Sequence, residues 1–268
     1  MLLSIDFGGS TTDAIYWDQD EVLSLKTFES KDLDLSKLNF ADVDKIFITG
    51  GKSGFMKENF SNILVVKVGE IEAIGCGGRA LTGGEEAILV VSMGTGTCMV
   101  ESRITNGGIK VKHLGGTGVG GGTFVGLGKE LLGISDIDEL LRLGAKGSSE
   151  NVDISVKEIV GSGIGRISAD ATASNLGKLS SEINFKREDL AAGIINLIGQ
   201  TIGVSVAFAA QAGKISKVVL TGKLTKAVVI SDIVFDIVKS YGVEVFIPEN
   251  APYVSAIGAK VASDYGLV

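Results

Sequence analysis

One short device occurs twice in this chain of 268 residues, and it restricts the possible folds more than any other feature. An apolar strand runs into a turn of glycines and hydroxyl residues, and a second strand runs out. The first copy is LLSIDFGGSTTDAIYW, Leu2 to Trp17, and the second is ILVVSMGTGTCMVES, Ile88 to Ser102. Glycine permits the tight turn and lets a bulky anion approach the backbone. Successive N–H groups in such a turn form a concave nest for that anion. Gly8, Gly9, Ser10 and Thr11 make the first turn; Gly94, Thr95, Gly96 and Thr97 make the second. Two such turns facing one another would hold the β- and γ-phosphates of one nucleotide. The pattern predicts an ATP-using phosphotransferase of two lobes with a cleft between them.

Strand–turn–strand units alternating with helical segments indicate an α/β fold. Further strands are expected over residues 21–28, 45–49 and 63–68. A helix is expected over 70–81, its start marked by Glu70 and Glu72, whose charges suit a helix N-terminus. These segments form a first lobe, residues 1–86. The second lobe, 87–268, continues with a strand over 110–114 and the glycine turn GGTGVGGG, Gly115 to Gly122. Phe124, Leu127, Leu131 and Leu132 then recur at helical spacing. A short helix is expected over 135–143 with Ser135 as N-cap, followed by a polar surface excursion over 148–169. Residues 187–212 read as a long helix, apolar almost all round and therefore buried, within the lobe or against a second subunit. A strand over 218–221, a helix over 226–241, a strand over 243–247 and a helix opened by Pro252 complete the pattern.

Composition excludes several classes of partner. The net charge is −7 and no Lys/Arg cluster occurs, so the basic face of a nucleic-acid binder is missing. An anionic membrane is an equally poor partner. Two cysteines, Cys76 and Cys98, and a single histidine make neither a disulfide framework nor a multi-His or paired-CxxC zinc site. The longest apolar stretch, 191–212, is interrupted by Asn196, Gln200 and glycines, which suits a buried helix better than a membrane span. The N-terminus lacks a basic, apolar leader, so a reducing cytoplasm is the expected compartment.

Asp6 closes the first strand just before the turn, where a carboxylate can hold Mg²⁺ while the turn holds phosphate. A plain hairpin with a glycine bulge is the alternative. Gly51-Lys52-Ser53 looks like the end of a P-loop, but the glycine required five residues earlier is Ile46. Gly116, Gly118 and Gly121 satisfy G-x-G-x-x-G outside an opening βαβ unit, so a wall of the nucleotide or substrate site is the better reading. Glu70 or Glu72 is a candidate general base for an attacking hydroxyl. His113, just before the glycine turn, is a candidate substrate contact. Gly222 would let adenine approach the backbone, or it belongs to a plain turn with a solvated Lys223.

Taken together, these blocks resemble the type II pantothenate kinases of the sugar kinase/heat-shock chaperone/actin superfamily. The resemblance runs through IDFGGSTTDA at Ile5, ITGGKSG at Ile48, VGEIEAIGCG at Val68, SMGTGTCM at Ser92 and HLGGTGVGGGTFVGLG at His113. It continues with DATASNLG at Asp170, KREDLAAGIINLIGQTIG at Lys186, VVLTGKL at Val218 and SAIGAKVA at Ser255. It implies two ribonuclease-H-like lobes of the actin-like ATPase superfamily with a nucleotide cleft between them. It also implies ATP-dependent phosphorylation of pantothenate, with Glu70 as catalytic base and pantothenate contact, and Asp6 beside Mg²⁺. Gly8 to Thr11 and Gly94 to Thr97 become the phosphate loops, Gly121 and Gly222 adenosine contacts, and Gly115 a neighbour of the acceptor. The long helix at 187–212 corresponds to an element the family uses in a homodimer. The family commonly places an arginine where His113 stands.

Three other readings stay open. One is a kinase of the same fold acting on a sugar or another small alcohol. Another is an ATP-driven activator of a dehydratase or reductase, which needs cysteines placed for an iron–sulfur cluster. The third is a non-catalytic nucleotide-binding regulator.

Overall fold

The first device folds as the hairpin of Leu2–Phe7 (β1) and Thr11–Asp18 (β2), in register from Leu2 opposite Trp17 to Phe7 opposite Thr12. The computed structural model describes residues 1–32, 36, 38–53, 63–165, 168–181 and 184–267; the last glycine of ITGGKSG, Gly54, lies outside them. Glu21–Glu29 (β3) continues the antiparallel meander. Lys45–Thr49 (β4) and Leu64–Lys67 (β5) add in parallel on the other edge, giving the order β3-β2-β1-β4-β5. Glu70–Thr82 (α1) then leads to the second sheet.

That sheet begins with the second device, Ala87–Met93 (β6) and Thr97–Thr105 (β7), followed by Gly108–Thr117 (β8). Helices Gly121–Leu132 (α2) and Ile137–Gly144 (α3) come next. Ile154–Ser155 (β9) and Thr172–Ser174 (β10) form a small ribbon around the short helix Val156–Val160 (α4). The long helix Arg187–Gly213 (α5) leads to Lys217–Thr221 (β11), then helix Val228–Ser240 (α6) and Glu244–Phe246 (β12). Strands β11 and β12 are parallel additions, so the order is β12-β11-β6-β7-β8. With β6 matched to β1, the two sheets have one topology. The repeated turn motif belongs to a repeated sheet.

Apolar periodicity places the largest core between the second sheet and its helices. Phe124 of α2, Leu140 of α3, and Ile194, Ile198, Ile202 and Val206 of α5 pack with Leu89, Val91, Val218 and Leu220. Length and composition would let α5 cross a membrane, but most of its apolar stretch is buried in this core. Its polar interruptions have a local task. Asn196 Nδ2 donates to Asp153 (2.7 Å), and Asn196 and Gln200 both donate to Thr172 Oγ1 (3.2 and 2.9 Å). Asp153 also accepts the Leu176 N–H (2.6 Å), so the DATASNLG segment is tied to α5. Burial raises the Asp153 carboxyl above its usual range, against the pull of these donors.

Three expectations shift. The strand expected over 110–114 runs on to Thr117, because Gly115, Gly116 and Thr117 pair with Met99, Cys98 and Thr97. The N-cap of α3 is Asp136 rather than Ser135; its carboxylate accepts the Glu139 N–H at 2.7 Å. The excursion expected over 148–169 contains α4, whose start is a capping box of Ser155 and Glu158.

Helices α1 and Val254–Asp264 (α7) form the layer between the sheets. Ile74 of α1 packs with Ile88, Val90 and Val100 of the second sheet. Ala256 and Ile257 of α7 pack with Ile15 and Trp17 of the first. The helices cross at glycine. A Cβ on Gly258 would enter the Ala73 carbonyl, and one on Gly77 would enter the Val254 carbonyl. Only hydrogen side chains allow this approach.

Candidate active site

The two glycine turns meet in the space between the sheets, where Ser10 Oγ lies 3.0 Å from Thr95 Oγ1. Both turns line a cleft of about 1110 Å³ together with Asp6, Asp13, Glu70 and Lys223. The carbonyls of the first turn are tied back. Ser30 N donates to Ser10 O (2.9 Å), Ser30 Oγ to Gly8 O (2.8 Å) and Lys52 Nζ to Gly9 O (2.9 Å). Tying carbonyls outward suits a turn that presents N–H groups to an anion. The second turn is braced by the start of α2: Gly121 N donates to Gly94 O (2.8 Å) and Gly122 N to Thr95 O (2.9 Å). Thr97 Oγ1 donates to Val119 O (2.9 Å), so this hydroxyl locks the turn to the glycine segment.

Three carboxylates converge beside the turns. Asp6 is the penultimate residue of β1, and Asp13 stands opposite it in the hairpin register, so their side chains share one face. Glu70 is the first residue of α1, exposed to the cleft and with Oε2 near Gly51. Burial, then the negative charges of Asp13 and Glu70, push the Asp6 carboxyl up to about 7, while Lys223 and Ser255 pull it down. Of the two candidate bases, Glu70 lines the cleft, whereas Glu72 folds back over Gly69 at the helix start.

A concentration of negative charge at Asp6 suits a divalent cation. The described residues hold no cluster of three or more His, Cys, Asp or Glu able to bind a metal alone. Mg²⁺ would therefore take Asp6, directly or through water, together with phosphate oxygens and solvent, the mode this ion favours.

Gly222, at φ 89°, follows β11 against the backbone of Met93 and lines the cleft, as does Gly121. Lys223 is partly exposed and paired across the cleft rather than freely solvated. Its Nζ donates to Asp13 Oδ1 at 2.6 Å and lies 3.9 Å from the Tyr253 ring centroid. His113 and Gly115 are not among the cleft-lining residues. His113 is exposed on β8, on the same face as Val111, which packs onto α1 at Gly75. Cys98 lines the cleft near Glu70, and burial raises its thiol. Cys76 is fully buried in the interlobe layer and its thiol is pushed up to about 12.

Sequence reasoning missed Asp13, Thr27 and the pairing of Lys223. Asp13 carried a usable signal: Asp6 and Asp13 lie symmetrically about the Gly9–Ser10 centre of the turn, so a hairpin puts them side by side. Lys223 carried none, because its partner is 210 residues away.

Two sheets of one topology, with facing glycine turns at their junction, define the fold of the actin-like ATPases and sugar kinases. A 2-hydroxyisocaproyl-CoA dehydratase activator from Clostridium difficile with bound ADPNP aligns with TM-score 0.62 at 15% identity, over 99% of this chain and 95% of its own. An ROK family glucokinase from Streptomyces griseus, in complex with glucose and AMPPNP, aligns with TM-score 0.61 at 13% identity, over 100% and 99%. Within this class, the chain belongs to the Fumble family, which it matches over residues 87–260. It is 32% identical over 219 residues to the type II pantothenate kinase of Bacillus cereus strain AH820, covering 77% of each chain. It is 28% identical over 272 residues to the type II pantothenate kinase of Oceanobacillus iheyensis, covering 97% of this chain and 99% of that one.

Proposed function

We propose that this chain transfers the γ-phosphate of ATP to the terminal hydroxyl of pantothenate, the first step of coenzyme A biosynthesis. The observation that carries the reading is the meeting of the two turns at Ser10 and Thr95, in one cleft with Glu70. Membership of the family supplies the acceptor.

In phosphoryl transfer, positioning and electrostatics provide most of the catalysis. Gly8 to Thr11 and Gly94 to Thr97 grip the phosphates from the two sheets. Bound at Asp6, Mg²⁺ would neutralise developing charge on the phosphate oxygens. Glu70 orients the acceptor hydroxyl and receives its proton. Gly121 and Gly222 line the adenosine end. We assign His113 and Gly115 to the acceptor end, because β8 carries His113 on the side of α1, and α1 begins with Glu70. The same reading puts the lobe boundary between residues 86 and 87, with α1 and α7 as the layer across which the lobes close. It also takes the enzyme as a cytoplasmic homodimer that uses α5 in assembly.

The test is an ADP-release assay with and without pantothenate. Release should depend on pantothenate. Glu70→Gln should lower kcat by roughly 10²- to 10⁴-fold, the range for a lost general base, with a smaller change in KM for ATP. Pantothenate-independent release would overturn the acceptor, and a near-normal kcat would remove Glu70 from its role.

A further inference from the structure

The cleft wall is acidic where a triphosphate would lie. Asp6, Asp13 and Glu70 all line it, so a protein cation beside them, in addition to Mg²⁺ at Asp6, would favour an anionic ligand. Among the described residues, three lysines line the cleft: Lys31, Lys223 and Lys226. Lys31 pairs with Glu29 and its side chain is 75% exposed. Lys226 Nζ reaches the Tyr253 hydroxyl at 3.4 Å.

Lys223 differs in how firmly it is held. Its ammonium donates to Asp13, whose side chain is only 5% exposed, and Asp13 is fixed in turn by Thr27 Oγ1 at 2.6 Å. The Tyr253 ring packs against the ammonium at cation–π distance. Lys223 follows β11 in the second sheet, whereas Asp13 and Thr27 belong to β2 and β3 of the first. The pair therefore spans the cleft, two residues beyond the first glycine turn. A lysine ammonium has three donors. One is committed to Asp13, and Thr27 Oγ1 is a longer contact at 3.3 Å. Lys223 itself lines the cleft, with its side chain 24% exposed, so the ammonium is open to a ligand there.

We propose that Lys223 is a phosphate-binding residue of this cleft, and that Asp13 is the positioning residue that holds its ammonium across from the glycine turns. The proposal rests on the nucleotide reading above and adds a residue to it. Lysine serves phosphate as a point charge, and a pre-placed charge loses less freedom on binding than a mobile one. Held by a buried carboxylate of the opposite sheet, Lys223 also makes phosphate affinity depend on the spacing of the lobes.

The experiment compares calorimetric affinities for Mg-ATP, ADP, AMP and adenosine among wild type, Lys223→Met, Lys223→Arg and Asp13→Asn, each checked by thermal melting. Lys223→Met should weaken ATP binding roughly 10- to 100-fold, the size expected for a lost charged hydrogen bond, and leave adenosine affinity unchanged. Lys223→Arg should recover most of the loss. Asp13→Asn keeps the lysine but frees it, and should give a smaller loss, again confined to the phosphorylated ligands. Equal losses for ATP and adenosine, or no loss for ATP, would overturn the proposal and leave the pair a structural clasp. If Lys223→Met does not fold, the Arg and Asn variants decide by the same contrast. Wild type that binds no nucleotide would instead overturn the nucleotide reading itself.

Discussion

Asp6 and Asp13 face one another across a hairpin, which by charge alone is an unfavourable arrangement. The structure tolerates it because Lys223 takes Asp13, while Asp6 shifts its carboxyl up to about 7. Asp6 is thus the member of the pair with negative charge still to be compensated, and this singles it out for the cation. Asp6→Asn should raise the Mg²⁺ concentration needed for half-maximal turnover and lower the maximum. A Mg²⁺ titration of ADP release reads both, and an unchanged titration would remove Asp6 from the metal role. The carboxylate itself was legible in the sequence, because it ends an apolar strand at a glycine turn. Its environment was not, since Lys223 and Ser255 arrive from distant parts of the chain.

At the scale of elements, the sequence declared the central strands plainly. KIFIT and VVLT are apolar runs that end at glycine, and both form buried parallel strands. The end of β8 was hidden, because glycines carry little strand preference and their pairing with β7 is a tertiary effect. The crossing of α1 and α7 was equally hidden: Gly77 and Gly258 look like poor helix residues until the two backbones are seen to touch. Gly258→Val should therefore destabilise by about 1–3 kcal/mol or more through overpacking. Gly126, an exposed glycine inside α2 with open space around its Cβ position, behaves oppositely. Gly126→Ala should stabilise by up to about 1 kcal/mol. Denaturant melts of both variants check the contrast, and two shifts of one sign would contradict it.

For the whole molecule, two sheets of one topology share a cleft, so a ligand gripping both turns ties the lobes together. Mg-ATP at about 100 times its Kd should add about 2.7 kcal/mol to stability, seen as a rising Tm in a thermal melt with increasing ligand. A Tm indifferent to ATP would separate the cleft from the nucleotide. The doubled sheet was legible from the doubled turn, and so was the last helix; its return onto the first sheet was not. That return orders events in time. The strands of the first sheet leave the ribosome early, yet Ile15 and Trp17 lack their buried partners Ala256 and Ile257 until residues 254–264 emerge from the exit tunnel. The first sheet must wait for this late helix before its packing is complete, and through that interval its exposed apolar face invites chaperones.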